Sequence, residues 1–145
     1  MSPGNVSDPS NCQETLHLEG RVVRAGRAAG QALVSPEPIG FLGGVDPDTG
    51  KVIEIDHPIA GESTCGRVLV FPTGKGSTVG SYTLYQLARN GAGPVAIINA
   101  EADPVVAVGA IISDIPMVDR VDISRIRSGD WVEICDNQIV VTHRP

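Results

Sequence analysis

The segment between residues 66 and 99 constrains this chain most. RVLVFP is a short apolar run bounded by Gly66 and Pro72, and VAIINA repeats the pattern from Val95. Runs this short and uniformly apolar are typical of strands covered on both faces. Between them, TGKGSTVGSYTLYQLARNGAGP sets Leu84, Leu87 and Ala88 on one helical face and stops at Asn90 and Gly91. Strand, helix and strand in this order predict a parallel pair joined by a right-handed crossover. A chain of 145 residues built around that unit is expected to be an α/β protein. A flexible polar tail is expected at residues 1–14 and a single domain over 15–145.

The remaining apolar letters favour more sheet. Aromatic residues make up only 3% of the chain, so Val, Ile, Leu and Ala must build the core, and they fall in short runs cut by Gly and Pro. LHLEGRVVRAGRAAG alternates with period two. It predicts a strand, a turn at residues 26–30 and a second strand through ALV, broken by Pro36 and Pro38. Two turn clusters, Gly43 with Gly44 and residues 46–50, precede a short strand in KVIEI. ADPVVAVGAII reads as a helix opened by Asp103 and Pro104 and running to about Ile112. WVEIC and QIVVT flank Asp136 and Asn137, a two-residue hairpin turn, with Trp131 as anchor. The expected fold is β-rich, with a central strand-helix-strand crossover.

A net charge of -6 and no basic stripe exclude a nucleic-acid partner. No apolar run approaches the roughly 20 residues that cross a bilayer, so no membrane association and a cytoplasmic location are expected. Cys12, Cys65 and Cys135 are scattered, with neither zinc spacing nor a disulfide framework, so no metal site is expected on this chain. Asp46 and Asp48 belong to an Asx-type turn and lack a calcium-loop ligand series. Arg21, Arg24 and Arg27 recur every third residue, cannot share one strand face, and are expected in solvent.

Two segments carry chemistry. TGKGSTVGS places Gly74, Lys75, Gly76, Ser77 and Thr78 where a buried strand becomes a helix. Free N–H groups, the positive end of the helix dipole and a lysine there suit a phosphate or carboxylate, although a merely tight turn fits the spacing equally well. Neither a Walker A loop nor GxGxxG is completed. GESTCG presents Ser63 in a Gly-bounded loop entering the same strand. Alone it reads as a polar turn, and it is not a nucleophile elbow, because Cys65 stands where the second Gly would be. His57 reads as a packing or surface residue.

FLGGVDPDTGKVIEIDHPIAGES, followed by GRVLVFPTGKGSTVGSYTLYQLARNGAGPVAIINA, closely resembles the small subunit of archaeal aconitase X enzymes from about Gly20 onward. The resemblance implies a swivelling β/β/α domain docked on a larger subunit whose cysteines hold an iron-sulfur cluster, 4Fe-4S in type. It implies a hydro-lyase acting on a small phosphorylated hydroxy acid. Dehydration of (R)-5-phosphomevalonate to trans-anhydromevalonate 5-phosphate, in an archaeal mevalonate pathway, is the branch it resembles most. The family pattern makes Ser63 the proton acceptor and puts the Gly74 to Thr78 turn at the shared active site. A serine needs donors or cations around it to act as a base, and the turn is expected to supply them. The alternatives are a cis-3-hydroxy-L-proline dehydratase subunit, a non-catalytic anion-binding module and a phosphohistidine-type carrier; the last lacks a histidine on the turn.

Overall fold

The structure, a computed structural model, describes residues 15–143; the expected tail at 1–14 lies outside them. β4 (Val68–Phe71), α1 (Gly80–Arg89) and β5 (Ala96–Asn99) form the expected crossover, with Val68 to Phe71 in parallel register with Ala96 to Asn99. All eight of these strand residues are buried, which explains why neither run alternates. α1 ends where the sequence indicates. Gly91 has φ +70, its N–H bonds Ala88 O, and the Ala92 N–H bonds Leu87 O, satisfying carbonyls that the helix end leaves open. Leu84 and Leu87 lie fully buried against the sheet, each contributing roughly 2 kcal/mol of burial.

α2 (Pro104–Ile112) follows β5, and the Asp103 carboxylate caps it by accepting from the Val105 and Val106 N–H groups. It leads to β6 (Met117–Asp119), parallel to β5. The strand order is β1-β8-β7-β3-β4-β5-β6-β2, where β1 is Thr15–Glu19, β2 Arg21–Arg24, β3 Arg27–Val34, β7 Trp131–Cys135 and β8 Gln138–Thr142. β3 links two layers. Its first residues pair antiparallel with β7 and its last three pair parallel with β4. One core, with Leu33, Phe71, Leu84, Ile97 and Met117, lies between the parallel strands and the helices. A second, with Val68, Val70, Ile98, Val132 and Val141, lies between the parallel and antiparallel strands. The layers are therefore β, β and α.

Four expectations change. The first alternating run is two strands, since at Gly20 the chain crosses from pairing with β8 to pairing with β6, against Val118 and the Asp119 carbonyl, where a Cβ has no room. Gly30 is no turn residue. It is buried inside β3, where a Cβ would stand 3.0 Å from Gly66 O and 3.2 Å from Val95. KVIEI forms no strand; Lys51 and Val52 make isolated bridges, and Ile55 is 85% exposed. The arginines are not simply solvated either. Arg21 grips the fully buried Asp119 with two hydrogen bonds, 2.9 and 2.8 Å, and Arg24 pairs with Asp114 at 3.0 Å.

Candidate active site

The long excursion between β3 and β4 carries one candidate feature and braces the other. It starts along α1: Leu42 N lies close to Gly80 at the helix's first residue, whereas Asn90 Nδ2 at the far end donates to Pro47 O at 2.8 Å. The Asx turn forms as expected, with Asp48 N–H bonded to Asp46 Oδ1 at 2.9 Å. Gly50, at φ +75, then presses against the Ala92 carbonyl, an approach that leaves no space for a side chain. The excursion turns back at His57, which is buried. His57 Nε2 bonds Pro38 O at 3.0 Å, and Nδ1 accepts the Ile59 N–H at 3.3 Å, so this histidine fastens the loop as a packing residue.

Ser63 is held on the returning segment. Val52 N–H bonds Glu62 O and Thr64 N–H bonds Gly50 O, which sets Ser63 directly opposite Lys51 in an antiparallel bridge. The Ser63 hydroxyl donates to Thr49 O at 3.0 Å and accepts the Cys65 N–H at 3.2 Å. The side chain is half-buried. Thr64 Oγ1 and Cys65 Sγ reach the Ala92 and Gly91 carbonyls, anchoring this loop at the C-terminal end of α1.

Gly74, Lys75, Gly76, Ser77 and Thr78 lie at the other end of α1. Lys75 N–H bonds Ile39 O, and the Lys75 ammonium is held by Glu54 at 2.8 Å. Gly76 sits at φ +93. Ser77 Oγ accepts the Val79 N–H, and Ser77 O takes that of Gly80. Among the described residues, no acceptor takes the N–H groups of Gly76, Ser77 and Thr78, so the turn presents open donors beside a helix start. This turn also stands at the carboxyl edge of the parallel strands, the usual ligand-binding edge of such sheets.

The structure does not bring the two features together. Ser63 and the turn occupy opposite ends of α1, whose ten residues rise about 15 Å. The turn therefore does not furnish the donors around Ser63; Cys65 N–H does, and the cation facing Ser63 is Lys51. That pairing was not readable from the sequence, because it needs the register of the 50–64 loop. The spacing of DPDTGK and GES around one return of the chain was the available signal.

The Asp119 carboxyl ends β6 near the same carboxyl edge. Burial, the largest influence on it, pushes its pKa up. The Arg21 hydrogen bonds, the Ala102 N–H and the charges of Arg21 and Arg120 outweigh that and hold it below the ordinary carboxylate value. Arg21 is pushed up chiefly by its hydrogen bond to Asp119.

The β/β/α layering and these loops define a swivel domain. The aconitase X swivel domain family matches residues 17–142, and the chain belongs to that family. It resembles the crystal structure of Thermococcus kodakaraensis aconitase X in its holo-form with TM-score 0.85 and 49% identity, over 87% of this chain and 98% of that one. The phosphomevalonate dehydratase small subunit of Methanosarcina acetivorans is 57% identical over 122 residues, 82% of this chain and 85% of that protein. Its counterpart in Thermococcus sibiricus is 54% identical over 119 residues, 82% of this chain and 92% of that protein. The chain is a dehydratase subunit, part of a hydro-lyase.

Aconitase X enzymes are iron-sulfur enzymes in general. The described residues of this chain do not fit a cluster: no three His, Cys, Asp or Glu side chains gather as ligands, and Cys65 and Cys135 are separate exposed thiols. No described helix is long and apolar enough to cross a membrane.

Proposed function

We propose that this chain is the small subunit of an enzyme that removes water from (R)-5-phosphomevalonate, giving trans-anhydromevalonate 5-phosphate in an archaeal mevalonate pathway. A larger subunit completes the site and brings the iron-sulfur cluster. The observation that carries this reading is the identity above 50%, across four fifths of the chain, to small subunits bearing that activity's name. The reaction breaks the C2–H bond beside the carboxylate and the C3–O bond, and joins C2 to C3 by a second bond. In this reading Ser63 Oγ takes the C2 proton. Its geometry supports the role in two respects: it already accepts one backbone N–H, and it is partly exposed. Its own proton rests on Thr49 O, so the hydroxyl must be turned or deprotonated as the complex assembles.

The turn of Gly74, Lys75, Gly76, Ser77 and Thr78 is assigned a substrate anion. Because it stands about one helix length from Ser63, it is assigned the distal phosphate rather than the carboxylate next to the reacting carbon. Co-expression with the large partner tests the reading. The purified complex should consume (R)-5-phosphomevalonate and leave cis-3-hydroxy-L-proline untouched, while this chain alone should turn over neither. Turnover of the proline derivative by the complex overturns the substrate, and turnover by the lone chain overturns the two-subunit site.

A further inference from the structure

We propose that Lys51 binds the carboxylate of the hydroxy acid whose C2 proton Ser63 removes. The inference deepens the reading above and rests on it. Its basis is the register of one short bridge. Val52 N–H bonds Glu62 O and Thr64 N–H bonds Gly50 O, so Lys51 and Ser63 form the pair between those two hydrogen bonds. In antiparallel structure this is the closer kind of pair, with Cα atoms about 4.5 Å apart and both side chains on the same face. The lysine stem therefore starts beside the serine, within reach of a group bound at its hydroxyl.

The ammonium is also unclaimed. Lys51 is exposed, and among the described residues no carboxylate lies within ion-pair distance of it. Three acidic side chains of the loop are engaged elsewhere. Glu62 holds Arg67 at 3.1 Å, Glu54 holds Lys75 at 2.8 Å, and Asp46 accepts the N–H of its own turn. Glu54 and Glu62 are thus paired with other cations, and Lys51 is left without an ion pair beside the serine.

Dehydration of a 3-hydroxy acid is accelerated by a cation or hydrogen-bond donors at that place. When the C2–H bond breaks, the electron pair runs into the carboxylate before it closes the C2=C3 bond and the C3 hydroxyl departs. The negative charge on the two carboxylate oxygens then rises above its ground-state value. A cation on those oxygens is worth more at that moment than in the bound substrate, the condition for raising rate rather than merely tightening binding. The same ammonium eases loss of the hydroxyl proton that turns the serine into a base, so one side chain acts on both partners of the proton transfer. The assignment also divides the two substrate anions, with the carboxylate at Lys51 and the phosphate at the distant turn.

The test uses the co-purified two-subunit complex with (R)-5-phosphomevalonate as probe, comparing wild type, Lys51→Met, Lys51→Arg and Ser63→Ala. Lys51 is exposed, so its variants should assemble and co-purify as wild type does. Lys51→Met should lower kcat/KM on the order of 10²-fold, with most of the loss in kcat. Lys51→Arg, which keeps the charge, should recover much of it. Exchange of the C2 hydrogen with deuterated solvent should fall in parallel. Wild-type kinetics for Lys51→Met alongside a dead Ser63→Ala overturn the lysine's role and leave the serine's intact. A fully active Ser63→Ala removes the reading on which both stand.

Discussion

Replacing Gly74 by alanine adds one methyl group where the proposed anion-binding turn backs onto α2. A Cβ built there stands 2.5 Å from a Val106 methyl and 3.0 Å from Asp103 Oδ2. Val106 is 2% exposed and belongs to the helix-side core, and Asp103 caps α2. Neither neighbour can yield freely, so the methyl must be accommodated by displacing the turn or the first turn of α2. Overpacking of this kind costs about 1 to 3 kcal/mol, and a weakened cap adds roughly 1 kcal/mol. The reduced freedom of the unfolded chain returns about 0.5 kcal/mol. The net loss is roughly 1.5 to 3.5 kcal/mol, which in a domain of this size lowers Tm by about 5 to 10 °C. Urea and thermal unfolding followed by circular dichroism measure it directly. Gly76→Ala is the comparison: Gly76 has φ +93 and nothing within 4 Å of its missing Cβ, so only backbone strain of about 1 kcal/mol applies. If Gly74→Ala proves no less stable than Gly76→Ala, the turn is not wedged against α2, and the account of its rigidity is wrong.

Two further outcomes follow from the charges. The Asp119 carboxyl is held below its ordinary value, so it stabilises the fold above the unfolded carboxylate pKa, and that contribution disappears as pH falls through the lower folded value. Wild type should therefore lose stability below about pH 4, and Asp119→Asn, already weakened at neutral pH by the loss of its grip on Arg21, should show a flatter acid limb in Tm against pH. The Lys75 pair with Glu54 is solvent-facing, so Lys75→Met should leave Tm nearly unchanged yet raise KM for the phosphorylated substrate. An unaltered KM would remove the lysine from phosphate binding.

The parts of the fold that were legible in the sequence are those whose signals are local. The crossover of β4, α1 and β5 announces itself through two unbroken apolar runs and a helix ending at Asn90 and Gly91. α2 is marked by Asp103 and Pro104, and the final hairpin by Asp136 and Asn137. What escaped depends on contacts between distant segments. Gly20 reads as part of one continuous strand and Gly30 as a turn residue until Val118 and Gly66 are seen against them, and Arg21 looks solvated until Asp119, 98 residues later, arrives beside it. KVIEI alternates like a strand, but it lies in a loop pinned by His57 and has no sheet to join. The same limit applies to the site: Ser63 and the Gly-Lys turn flank one strand in sequence, yet the strand and helix between them hold the two apart.

The central claim is that Ser63 takes a proton from carbon in an active site this chain shares with its partner. The most direct measurement is hydrogen exchange at C2 of (R)-5-phosphomevalonate in deuterated water, with the assembled complex carrying wild-type subunit or Ser63→Ala. The account predicts intact assembly, because the side chain contributes only two loop hydrogen bonds, together with a fall in exchange and dehydration of about 10² to 10⁴-fold. Exchange at the wild-type rate in the alanine complex would contradict it.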